Sequence, residues 1–230
     1  MKNKKLIITI SIDDVNPLKD FRILGTKTEK WLEQLYIDFG IKYNLFIPSN
    51  YHGKNKLSEN KSWIQEINDK PYFSCEAHEH FHMTSDTQQF GECEFFEIKT
   101  IDVALERVKM IYEEWNECEL GFEKLGWRNP GWLCSEGSCH VLQRNFSYAA
   151  IHYEHNQGLN WNCKTFFGHD GIQQQTVAVH NDDMIMFQSH IAGKHNHNVW
   201  NEQNYDQLRL SLDHLFQNYQ IEPKFLNECL

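Results

Sequence analysis

Residues 6–12 form a continuous, mostly β-branched run that stops abruptly at Asp13-Asp14. A strand with apolar side chains on both faces needs cover on both, the condition of a parallel sheet flanked by helices. The rest of the chain repeats that logic. Trp31, Leu32, Leu35, Tyr36 and Phe39 lie on one helical face, and Gly40 is a natural stop. Residues 42–47 read as a second strand, ended by Pro48. Trp63, Ile64 and Ile67 mark a short helix, and residues 72–77 a third strand.

Further on, Ile101, Ala104, Leu105, Val108, Ile111, Tyr112 and Trp115 form the apolar stripe of a long helix. Residues 126–128 look like a strand end stopped by Pro130. Residues 138–144 read as a helix and 148–153 as a strand. Residues 154–171, rich in Asn, Gly and aromatics, read as an irregular loop. Residues 176–179 and 184–188 read as late strands joined through Asn181-Asp182, and Tyr205 to Tyr219 as the final helix. Alternation of strands and helices predicts βαβ units. With no composition break or repeat, we expect one domain over residues 1–230.

Composition narrows the function. A formal net charge of −10 without a basic stripe disfavours nucleic acid as a partner, because such binding depends on Lys and Arg against phosphate. The seven cysteines contain no Cys-x-x-Cys pair, which argues against a cysteine zinc site. No run reaches the ~20 apolar residues of a membrane span. The apolar stretch after Lys2 to Lys5 is too short and polar for a secretory signal. These features lead us to expect a reduced, cytoplasmic protein; its oligomeric state is not legible.

The chemistry-bearing residues gather at strand ends. Asp13-Asp14 closes the first strand, the cluster His78, His80, His82 follows the third, Arg128 follows a later one, and His190 follows the last expected strand. In α/β barrels such positions converge on one face, where chemistry is done. His78 and His82, four apart, share one face of a helical turn. With an Asp they complete a three-donor set with an open position, suited to a catalytic divalent ion. A His-x-His arrangement using His80, as in metal amidohydrolases, is the competing reading.

Five segments carry a family resemblance. Ile8-Thr9-Ile10-Ser11-Ile12-Asp13-Asp14-Val15 resembles the first motif of the polysaccharide deacetylase superfamily (carbohydrate esterase family 4, the NodB-homology group). Residues 42–48 resemble its second strand. His78-Glu79-His80-Phe81-His82 resembles its His-Ser/Thr-x-x-His motif, and Trp127-Arg128-Asn129-Pro130-Gly131-Trp132 its Arg-x-Pro motif. Met186-Phe187-Gln188-Ser189-His190 resembles its last motif, an apolar strand ending in a catalytic His. Val15 stands where the family has Gly, Glu79 where it has Ser or Thr, and the fourth motif is echoed only by Asn160-Trp161.

The resemblance implies an α/β fold, a distorted (β/α)7 barrel, and hydrolytic removal of N- or O-acetyl groups from a carbohydrate or glycoconjugate. It implies Asp14, His78 and His82 as ligands of one divalent metal ion, with zinc expected and cobalt, nickel, manganese or iron suited to the same donors. Asp13 would be the general base, Arg128 its charge partner and His190 the general acid. Pro130, Trp132 and Trp161 would contact the sugar, core packing being the competing role for the tryptophans. Two other classes stay open: an amidohydrolase acting on another C–N bond, and a non-catalytic carbohydrate-binding relative.

Overall fold

The structure is a computed structural model describing residues 5–82, 93–121, 124–151, 159–167, 169–170, 184–192 and 199–230. At Trp132, Phe167, His169 and Asp170 it describes the backbone only. Its centre is a curled, open parallel sheet surrounded by helices. Along the sheet the order is β8 (Lys164–Phe167), β7 (Tyr148–Ile151), β6 (Trp127–Arg128), β5 (Phe73–Ala77), β2 (Tyr43–Ile47), β1 (Lys5–Asp13), β10 (Met184–His190) and β9 (His169–Asp170). This is the distorted barrel expected from the sequence. A hairpin, β3 (Asn50–Tyr51) and β4 (Asn55–Lys56), stands apart from the sheet.

β1 is the axis. Ile8, Ile10 and Ile12 are fully buried, and so are Thr9 and Ser11 on the other face, as a strand covered on both sides requires. Its C-terminal part pairs with β10 so that Asp13 lies opposite His190, while residues 10–12 pair with β2. β5 follows β2, and Ala77 at its end pairs with Trp127 of β6. The ends of β1, β5, β6 and β10 therefore share one mouth.

The helices form where caps and apolar stripes direct them. In α1 (Lys27–Phe39) the Thr26 side chain accepts the Glu29 N–H, and Glu29 in return accepts the Gly25 N–H. Gly40 ends the helix at φ 71°, a left-handed conformation that costs glycine little. α2 (Lys61–Asn68), α3 (Glu94–Glu97), α4 (Ile101–Glu117), α5 (Glu136–Asn145) and α6 (Glu202–Asn218) complete the set. In α4 the buried stripe is Ala104, Val108, Ile111 and Trp115, whereas Ile101 and Leu105, counted in the stripe from sequence, are about half exposed.

Other expectations shift as well. Part of the loop expected over 154–171 is strand, namely β8 and β9, because Thr165 and the neighbouring phenylalanines pair with β7. β10 is not the last strand. After α6, β11 (Gln220–Pro223) pairs with the first half of β1. The strand expected over 176–179, its turn at Asn181-Asp182, and His195 and His197 lie outside the described residues.

Candidate metal centre

Asp14 follows the last residue of β1 and adopts φ 62°, a left-handed conformation that turns its side chain away from that of Asp13. The two neighbours consequently serve different partners. Asp14 faces the histidine loop: its Oδ1 is 2.6 Å from His82 Nε2 and 3.2 Å from His78 Nε2, and its Oδ2 is 3.6 Å from His190 Nε2. Asp13 stays in strand geometry and takes the Arg128 guanidinium, whose Nη1 donates to both carboxylate oxygens at 2.9 and 3.1 Å.

The two imidazoles do not meet on a helical turn, as their spacing suggested. Residues 78–82 form a non-helical bend, and His82 itself is left-handed at φ 54°. Two flanks hold the bend. On one side the β3–β4 hairpin segment donates three main-chain bonds, Ser49 N to Glu79 O, Asn50 N to His80 O and His52 N to Phe81 O, at 2.6–2.8 Å. On the other, Glu94 of α3 accepts the N–H groups of His80 and Phe81 at 3.1 and 3.0 Å. Arg107 of α4 pairs with Glu94 and stacks on the Phe81 ring.

The donor chemistry fits a cation. His78 Nδ1 lies 3.0 Å from the Arg128 carbonyl oxygen, which only accepts, so Nδ1 carries the proton and Nε2 presents its lone pair. Glu79, fully buried, places Oε1 3.7 Å from His82 Nδ1, a carboxylate beside that ring beyond hydrogen-bonding distance. Among the described residues Asp14 Oδ1 is buried and makes no hydrogen bond, although two Nε2 atoms crowd it. Asp14, His78 and His82 thus bring three donor atoms within 4.8 Å of one another, a buried group positioned to bind one metal ion. Burial works to raise the Asp14 carboxyl; the His82, His78 and His190 imidazoles, in their charged forms, outweigh it and hold the group well below the usual carboxylate range, the positive charge there being what an ion would replace.

His80 does not join the group. Its Nδ1 contacts Ser49 Oγ at 2.8 Å, and burial, reinforced by Arg107 and Lys56, pushes its pKa down to about 4. The His-x-His alternative therefore lacks a second ligand.

Sequence reasoning missed Gln188. Met186, Gln188 and His190 share one face of β10. Met186 Sδ contacts Arg128 Nη2, Gln188 Nε2 donates to Asp13 Oδ2 at 3.0 Å, and His190 reaches Asp14. The signal was its place two residues before His190. Pro130 begins a 3-10 turn, Pro130–Trp132, directly beyond β6, at the mouth. The Trp132 side chain lies outside what is described. Trp161 belongs elsewhere. It precedes the first residue of β8, where Lys164 pairs with the first residue of β7, and the next residue, Asn162, bonds Gln143 of α5. In a parallel sheet that is the end opposite the mouth, so Trp161 is not brought to the site.

No protein-family model matches the sequence, and no curated protein matches it. Solved structures do. A putative polysaccharide deacetylase from Mycobacterium smegmatis aligns over 97% of this chain and 88% of its own, with TM-score 0.62 and 11% identity. The chitin deacetylase of Colletotrichum lindemuthianum aligns over 97% and 87%, with TM-score 0.55 and 13% identity. A 4-α-glucanotransferase from Thermococcus litoralis aligns over 98% of this chain but 40% of its own, with TM-score 0.56 and 11% identity. Identities this low establish the fold alone, and the glucanotransferase shows that such a fold hosts more than one chemistry. The curled parallel sheet, its strand order and these alignments together give this chain the fold of the polysaccharide deacetylases.

Proposed function

We propose that the chain is a metal-dependent hydrolase that removes acetyl groups, attached through nitrogen or oxygen, from a carbohydrate or glycoconjugate. The carrying observation is that a buried three-donor group and the Asp13–Arg128 pair sit side by side at the sheet's mouth, with His190 touching both through Asp14 and Gln188. A binding protein would need the first and not the rest. Among the described residues there is one three-donor group, which favours a single ion, and zinc is the ion we expect. The absence of disulfides among the seven cysteines supports a reducing compartment such as the cytoplasm.

A divalent cation held by Asp14, His78 and His82 supplies Lewis acidity to water and to the acyl oxygen. Asp13 is the base: its carboxylate, fixed by Arg128 Nη1 and Gln188 Nε2, accepts a proton from the water that attacks the acyl carbon. The C–N or C–O bond to the sugar breaks, and His190 gives the leaving amine or alkoxide its proton. His190 suits that role, since its side chain is 24% exposed while Asp13 and Arg128 are buried behind it.

Acetate release tests the reading. Zinc- or cobalt-loaded protein is offered N-acetylated chitin oligomers and O-acetylated xylan oligomers. Release by the wild type, its loss in Asp13→Asn, and loss of both metal and release in Asp14→Ala are expected. Undiminished release by Asp14→Ala, or none from either substrate by metal-loaded wild type, would overturn it.

A further inference from the structure

We infer that Gln188 is a positioning residue that locks the base Asp13 and the acid Asp13 works with, His190, into one unit; the inference rests on the hydrolase reading above. Gln188 is fully buried. Its Nε2 is 3.0 Å from Asp13 Oδ2 and 3.3 and 3.4 Å from the two ring nitrogens of His190. A carboxylate only accepts, so the carboxamide must turn its nitrogen toward Asp13. The same NH2 group then has a second hydrogen on the His190 side, where both ring nitrogens lie within 3.4 Å.

Packing does not explain a carboxamide here. Gln188 Oε1 is buried and makes no hydrogen bond among the described residues. An orphaned buried acceptor is a cost that Leu or Met would avoid in the same space. Glu would put a second carboxylate against Asp13. Gln is a side chain of this size that donates to the base and the acid while adding no charge between them. The strand supplies the register: Asp13 and His190 are Cα partners across β1 and β10, and Gln188 sits one pleat beneath His190 on the same face.

Its action is thus through Asp13 and His190 and not on the metal donors, which Gln188 does not touch in any described contact. The Gln188→Met variant separates these roles. Cobalt titration should give wild-type affinity within twofold, showing the fold and the Asp14, His78, His82 group intact. On whichever acetylated oligomer the wild type turns over, kcat should fall roughly 10- to 100-fold with KM unchanged, the loss expected for one charge-assisted bond. A crystal structure of the variant should show Asp13 and His190 displaced from each other, with Asp14, His78 and His82 in place. Unmoved Asp13 and His190 side chains, an unchanged kcat, or an effect confined to KM would overturn the inference. If the wild type releases no acetate, the hydrolase reading fails, and the variant's structure alone decides whether Gln188 holds the pair.

Discussion

Arg128 serves Asp13 with its guanidinium and His78 with its backbone: Nη1 reaches both Asp13 oxygens, and the carbonyl oxygen lies 3.0 Å from His78 Nδ1. One strand residue thereby sets Asp13, the base we propose, and one imidazole of the three-donor group at a fixed separation. Only the first of these duties depends on the side chain. Arg128→Met should leave a buried carboxylate without its cation and cost about 3–5 kcal/mol of stability in urea denaturation. Asp13→Leu combined with Arg128→Met should recover most of that loss. A double variant no more stable than Arg128→Met would show that the pair's charge is not what matters.

Glu79 occupies the place between the two imidazoles and faces His82 Nδ1. Carboxylates behind metal-binding histidines fix ring orientation and raise donor strength. Glu79→Gln should keep the fold and weaken zinc binding by roughly 10- to 100-fold in a competition titration against a chelator. Equal affinity in the two proteins would remove Glu79 from the metal's support.

The C-terminal segment carries an acid-sensitive clamp. Lys42 Nζ sits 2.7 and 2.8 Å from the two Glu228 oxygens, and Glu228 Oε2 also accepts the Phe225 N–H at 2.8 Å. Burial works to raise the Glu228 carboxyl; Lys42 and the Phe225 amide outweigh it and hold the group below its ordinary 4.5. Stability from this group is therefore complete above pH 4.5 and is lost as pH falls through the lowered folded value. With the side chain 40% exposed, screening limits the effect to about 0.5 kcal/mol. Glu228→Gln should be less stable than wild type at pH 7 and indistinguishable in strong acid. A gap that persists in acid would assign the effect to something other than ionisation.

Trp161 lies at the N-terminal end of the sheet, next to Asn162, whose N–H bonds Gln143 of α5. Its ring packs on the main core while still partly exposed. Trp161→Ala should lower the melting temperature and leave KM for an acetylated oligomer within twofold. A large rise in KM at unchanged stability would return this tryptophan to the substrate path.

How much of this was readable follows from what sequence encodes. Asp13, Asp14, His78, Arg128 and His190 are legible because charge or imidazole at a strand's C-terminal end has few other uses. The pairing of His78 with His82 was legible in spacing but not in mechanism, since a left-handed histidine leaves no periodic trace. Gln188 was silent: a neutral amide reads as an ordinary polar residue until its neighbours are known. β11 was hidden because Glu222 and Pro223 suit an edge and not a buried strand. Trp161 stayed ambiguous because an aromatic ring suits a core and a sugar alike and does not say at which end of a barrel it lies.

The histidine loop is moored to the hairpin through amides and carbonyls, three bonds that ask nothing of the side chains they join. On that flank the curvature is carried by the peptide chain, so the position after His78 can change its chemistry without breaking those bonds. That freedom accounts for a carboxylate sitting where the resembled motif carries a hydroxyl. The mooring also makes the hairpin, remote in sequence from both imidazoles, a point where a proline that deletes one of those amides would spread the ligands apart.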